Sequence, residues 1–95
     1  MKTRFYIDPA TELPHIYEDD VHEDEAEQVL IHPSEDRPGK DASRVAIGQT
    51  KAGRTLRVIY LPDPEPESVF VITAYELKGK QLKAFRRRRR GRAKT

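Results

Sequence analysis

Five consecutive arginines, Arg86, Arg87, Arg88, Arg89 and Arg90, follow Lys78, Lys80 and Lys83 near the end of the chain. Planar guanidinium groups grip phosphate oxygens in pairs and ammonium groups add point charge, so the run suits a polyanion. From Leu77 onward there are ten Lys or Arg and no acid. A charge run is ordinarily a solvated face, yet five arginines in a row concentrate more positive potential than solubility requires. Tyr75 leads into this segment and offers a ring for stacking on a base or a hydroxyl for hydrogen bonding; its plainer role is a half-buried residue at a sheet rim. Arg54 and Arg57 are further candidate phosphate ligands. A spacing of three on a strand directs them to opposite faces, and a solvated role stays open for each.

Other chemistries find little footing. His15, His22 and His32 are dispersed, and the separation of ten between His22 and His32 does not match the spacing of paired metal ligands, so neither a metal nor a cofactor is expected. His22 could exchange a proton near neutral pH, but its place at an acidic helix start favours simple exposure. There is no cysteine, which excludes disulfides and thiolate metal sites. Nucleophile motifs and glycine-rich phosphate loops are also missing.

The elements that must position these residues follow from composition and pattern. Ninety-five residues suffice for one domain, and 36% charged against 36% hydrophobic residues allows one modest core. No apolar run approaches a spanning helix or a signal peptide, so a cytoplasmic protein without a membrane partner is expected. The net charge of +2 hides an asymmetry. Residues 1–36 hold eleven acidic and two basic side chains, net −9, whereas residues 37–95 hold sixteen basic and five acidic, net +11.

Residues 2–7 alternate Thr3, Phe5 and Ile7 against polar neighbours, the two-residue period of a strand. Residues 10–17 show no period and are expected as a loop. Val21, Ala26, Val29 and Leu30 mark one side of an acidic helix, capped by Asp19 or Asp20 and ended by Pro33. Residues 34–42 are expected as a charged connector. Residues 44–50 and 55–61 form two strands joined by a turn in which Gly53 supplies positive φ, and residues 68–75, the most apolar stretch, form a third and central strand. Leu82 and Phe85 mark the inner side of a basic helix that stops at Arg90, before Gly91. The expectation is an α+β domain over residues 1–90, with the helices on one face of an antiparallel sheet, and a flexible basic tail over residues 91–95.

Three segments carry a family resemblance: Val21-His22-Glu23-Asp24-Glu25-Ala26 running to Pro33, the Gly53-Arg54 hairpin with its following strand, and Val71-Ile72-Thr73-Ala74-Tyr75-Glu76 leading into a basic helix with Phe85. In order and spacing they resemble the RelE-like toxins of bacterial toxin–antitoxin pairs, in particular the BrnT-type branch, and a related uncharacterised family of the same fold. The resemblance implies a two-layer RelE-like fold. It also implies the toxin component of a type II pair, a metal-independent ribonuclease that inhibits growth by cleaving RNA and is covered by a cognate antitoxin. In such a reaction the RNA 2′-hydroxyl attacks the adjacent phosphate while side chains move protons and stabilise charge. Two positions depart from the pattern. Asp19-Asp20 stand where His-Gly is frequent, and Tyr75 stands where the BrnT-type toxins place an arginine. Both substitutions remove groups that serve RNA chemistry.

The resulting assignment gives catalysis to Arg57, Tyr75 and Lys78, and RNA binding to Arg54, Lys80, Lys83, Arg86, Arg87, Arg88, Arg89 and Arg90. The alternative is a non-catalytic RNA- or ribosome-binding protein of the same fold. A third reading has the basic helix docking an acidic protein, including the acidic helix of a second copy in a homodimer.

Overall fold

The computed structural model describes residues 1–65 and 67–93, with side chains as far as Gly91. Its elements are β1 (Lys2–Phe5), a 3₁₀ helix (His15–Asp19), α1 (Glu23–Ile31), β2 (Glu35–Pro38), β3 (Arg44–Gln49), β4 (Thr55–Pro62), β5 (Ser68–Glu76) and α2 (Gly79–Ala93). The five strands form one sheet in the order β1-β5-β4-β3-β2. The β3, β4 and β5 meander is antiparallel, as its short connections predict, and Gly53 turns the β3–β4 hairpin at φ 94°.

Alternation along β3 and β4, with a register shift in β5 that brings Val71 and Ala74 to the same side, divides the core in two. Ala46 of β3, Leu56, Val58 and Tyr60 of β4, and Val71 and Ala74 of β5 pack with Ile16, Val21, Ala26 and Val29 of the helical side. These residues make the sheet and α1 the two main layers. On the reverse face Ile47, Leu77 and Phe85 form a smaller cluster, with Val45, Tyr75 and Leu82 against it. Burying Phe85, which is 2% exposed, stabilises the docked helix by about 1.5–3 kcal/mol.

Several expectations are corrected. The sheet is mixed, not wholly antiparallel, because β1 runs parallel to β5 from Lys2 opposite Ser68 to Phe5 opposite Val71. Nor do the helices share a face: adjacent residues Ala46 and Ile47 point to opposite sides, and α1 and α2 follow them. The central strand is β4, with β5 one place from the edge. Ile7 lies beyond β1 and is 49% exposed.

The charged connector contains an edge strand, β2, paired antiparallel with β3. It lacks apolar alternation because polar pairs secure it. Asp36 accepts hydrogen bonds from Arg44 Nε at 2.8 Å and from the Tyr60 hydroxyl at 2.6 Å. The unpatterned stretch before α1 ends in the 3₁₀ helix, and the residue at the α1 N-cap is His22, not Asp19 or Asp20. The Glu25 carboxylate accepts the His22 backbone N–H at 3.0 Å, half of a capping box. Finally, α2 passes through Gly91 to Ala93 instead of stopping at Arg90, and the remaining tail residues, Lys94 and Thr95, lie outside the described residues.

Candidate polyanion-binding cleft

The turn from β5 into α2 passes through Gly79 at φ 57°, a left-handed conformation that glycine adopts without steric cost. Leu82 and Phe85, three apart, form the inward stripe of α2, and the basic residues are left on its flanks. One flank faces the turn end of the β3–β4 hairpin. There a cleft of about 630 Å³ is lined by Lys83, Arg86, Arg87, Arg89 and Arg90, together with Gln49, Thr55 and Phe85. Among the described residues, no carboxylate lines it. The Arg89 guanidinium lies 5.9 Å from the centre of the Phe85 ring, within cation–π reach.

The opposite flank anchors the helix. Glu35 of β2 has a side chain only 3% exposed, and it accepts Arg88 Nε at 2.7 Å and Arg37 at 2.5 Å. Burial alone would raise the Glu35 pKa. The hydrogen bonds and charges of Arg88 and Arg37 outweigh that and hold it below the usual glutamate range. Arg88 thus fastens α2 to the sheet, and it does not line the cleft.

Residues 15–76, well over half of the chain, match the family model described as Domain of unknown function (DUF4258). The chain belongs to the DUF4258 family. No curated protein and no solved structure matches it. The matched segment ends with β5, so the arginine-bearing helix of this DUF4258 protein lies beyond it.

Within this DUF4258 domain the remaining candidate residues are dispersed. Arg57 of β4 sits directly opposite Tyr75 of β5 and opposite Ile47 of β3, on the α2 face. Tyr75 is half-buried against the smaller cluster, which fits its role at the rim. Lys78 is exposed and shares with Tyr75 a groove of about 340 Å³, lined also by Asp19, Asp20, Arg54 and Glu76. Three carboxylates there oppose an RNA phosphate. Arg57, Tyr75 and Lys78 therefore do not converge on one cavity, although Arg57 and Tyr75 are neighbours.

Arg54 points the other way, although it sits in the turn before β4 and strand spacing alone left it free to swing. Its Nη1 donates to Glu25 at 2.9 Å and to the Asp20 carbonyl at 2.9 Å, and its Nε donates to Glu76 at 3.2 Å. It is a clamp between the start of α1 and the end of β5, not a cleft residue. Lys80 is exposed and also outside the cleft.

No pattern in the chain marks Gln49 and Thr55 as cleft walls, or Glu35 as the anchor of α2; a lone acid in a charged connector looks like any other. Nor does any pattern foretell that Asp8, His15 and Glu18 converge, with ligand atoms within 4.8 Å of one another. His15 Nδ1 is 3.3 Å from Asp8 and 3.7 Å from Glu18. A hydrogen bond with Asp8 raises the Glu18 pKa, while the Ala10 backbone N–H, then His15 and Glu18, lower that of Asp8. His22 is exposed and packs its ring 5.6 Å from that of Tyr17, whose hydroxyl donates to Glu23.

Proposed function

We propose that this protein binds RNA by its phosphate backbone in the cleft beside α2, as a RelE-like toxin or a toxin-derived protein that has kept the fold and the basic helix. The observation that carries the reading is the cleft lining among the described residues: five cations, no carboxylate, and an aromatic edge at Phe85. Guanidinium pairs suit phosphate geometry, and successive phosphates of a single strand track such a groove. The resemblance described above supplies RNA as the polyanion, and a cognate antitoxin as the protein that would cover the same surface.

The test is binding of single-stranded RNA across a salt series. Neutralisation of one phosphate by each of the five cleft cations gives a double-logarithmic slope of about −3.5. An affinity that is flat between low and physiological salt removes the electrostatic basis of the reading.

The pairing of Arg57 with Tyr75 favours a second reading, a metal-independent endoribonuclease that uses Arg57 to hold the phosphate and Tyr75 to stack or donate a proton. Its test is induction in growing cells, followed by RNA cleavage with and without chelator. Arg57→Ala and Tyr75→Phe should lower cleavage more than binding. Harmless induction with intact RNA leaves the binding protein.

A further inference from the structure

A second hollow lies on the flank of α2 away from the cleft, with a volume of about 250 Å³. Arg37 of β2, Arg57 of β4 and Arg88 of α2 line it, together with Gln81, Ile47 and Leu77. Two of these three guanidinium groups share one carboxylate partner. Arg37 and Arg88 both bond Glu35, whereas Arg57 forms no ion pair or hydrogen bond among the described residues. The Arg57 Nε is also buried without an acceptor. A donor withdrawn from water and left unpaired costs free energy that a bound acceptor would recover. The sheet register fixes where this charge sits, since Arg57 is flanked by Ile47 and Tyr75 on the two neighbouring strands.

We propose that this hollow binds a carboxylate, with Arg57 Nε and a terminal nitrogen holding its two oxygens and the apolar walls taking the body of the acid. A guanidinium fork matches the flat, two-oxygen face of a carboxylate. Arg37 and Arg88 are already held by Glu35, and Val45, Ile47 and Leu77 offer no donor, so beyond the Arg57 fork the hollow has little to give the further oxygens of a phosphate. The hollow is smaller than the usual pocket for a drug-sized molecule, so a free occupant is a small organic acid. The same chemistry is available from the terminal carboxylate of a peptide. The site is separate from the cleft and does not depend on RNA binding.

The experiment follows the side-chain Nε–H signals of the arginines in the isotope-labelled full chain by NMR during titration with benzoate. The Arg57 signal is expected to shift saturably, and Arg57→Met to weaken binding by about tenfold. Should Arg57→Met fail to fold, Arg57→Lys keeps the charge and loses the fork, with weaker benzoate binding again expected. Competition with a peptide ending in a free carboxylate, set against its amidated form, separates a chain terminus from a free acid. An Arg57 signal unmoved by benzoate overturns the proposal. Tighter binding of inorganic phosphate than of benzoate overturns it too, and transfers Arg57 to the phosphate role of the nuclease reading.

Discussion

At the scale of single residues, the arginines of this chain divide into those that hold the fold and those left to a ligand. Arg54 belongs to the first group, with a side chain 24% exposed and bonded to both Glu25 and Glu76. Arg54→Met should cost on the order of 2 kcal/mol, because it leaves two partly buried carboxylates without a partner. Denaturant unfolding measures that loss, and RNA affinity of the folded variant should not change; a stable variant that binds RNA poorly would reverse the assignment. Glu35 supplies a pH signature. Its folded pKa is held below the unfolded value, so the stability it contributes is present above the usual glutamate range, near pH 4.3, and is lost as pH falls through the lower folded value. Thermal midpoints of Glu35→Gln should therefore fall less steeply than those of the wild type in that acid window. Equal slopes would show that Glu35 is not a determinant of acid stability. The opposite directions of Arg54 and Arg57 were only partly legible from their spacing, because Arg54 sits in the turn before β4. The partners that make one a clamp were not legible at all, because Glu25 and Glu76 are 29 and 22 residues away in sequence.

At the scale of elements, sequence pattern served best where burial dictates the residues. The alternation in β3 and β4 and the stripe of Leu82 and Phe85 each correspond to an observed buried face, whereas a register shift in β5 breaks its two-residue period. It failed at β2, whose residues are mostly exposed and held by side-chain pairs that only the folded sheet brings together. The parallel placement of β1 escaped for a related reason: alternation reports a buried face and carries no information about strand direction. The N-cap was misplaced because aspartate is a stronger capping type than histidine, yet the 3₁₀ helix takes Asp19 and Asp20 ends that helix. The contact of α1 with the sheet makes its own prediction. A Cβ on Gly48 would come within 3.2 Å of Val29 Cγ1 and 3.4 Å of the His32 carbonyl oxygen. Gly48→Val should destabilise the protein by about 1–3 kcal/mol through overpacking against α1. A variant as stable as the wild type would mean that α1 does not pack closely on β3.

At the scale of the whole molecule, the charge asymmetry of the sequence becomes a two-sided protein. The acidic α1 lies on one face of the sheet and the basic α2 on the other. With the sheet between them the two helices are two layer spacings apart, about 20 Å, well beyond the Debye length of roughly 8 Å at physiological salt, so the acidic side does little to quench the cleft. Among the described residues, no helix is long and apolar enough to cross a membrane. The same two-sidedness lets copies meet acidic face to basic face, and an RNA strand and an acidic protein would compete for α2. The decisive measurement is the affinity for single-stranded RNA, at several salt concentrations, of the wild type and of the variant carrying Arg86→Gln, Arg87→Gln, Arg89→Gln and Arg90→Gln, with Arg88 left in place to anchor the helix. The account predicts that the folded variant loses most of its affinity and that its slope falls from about −3.5 to about −0.7, the value for the one cleft cation that remains. Unchanged affinity and slope in the variant would contradict the claim that the cleft beside α2 is the RNA-binding surface.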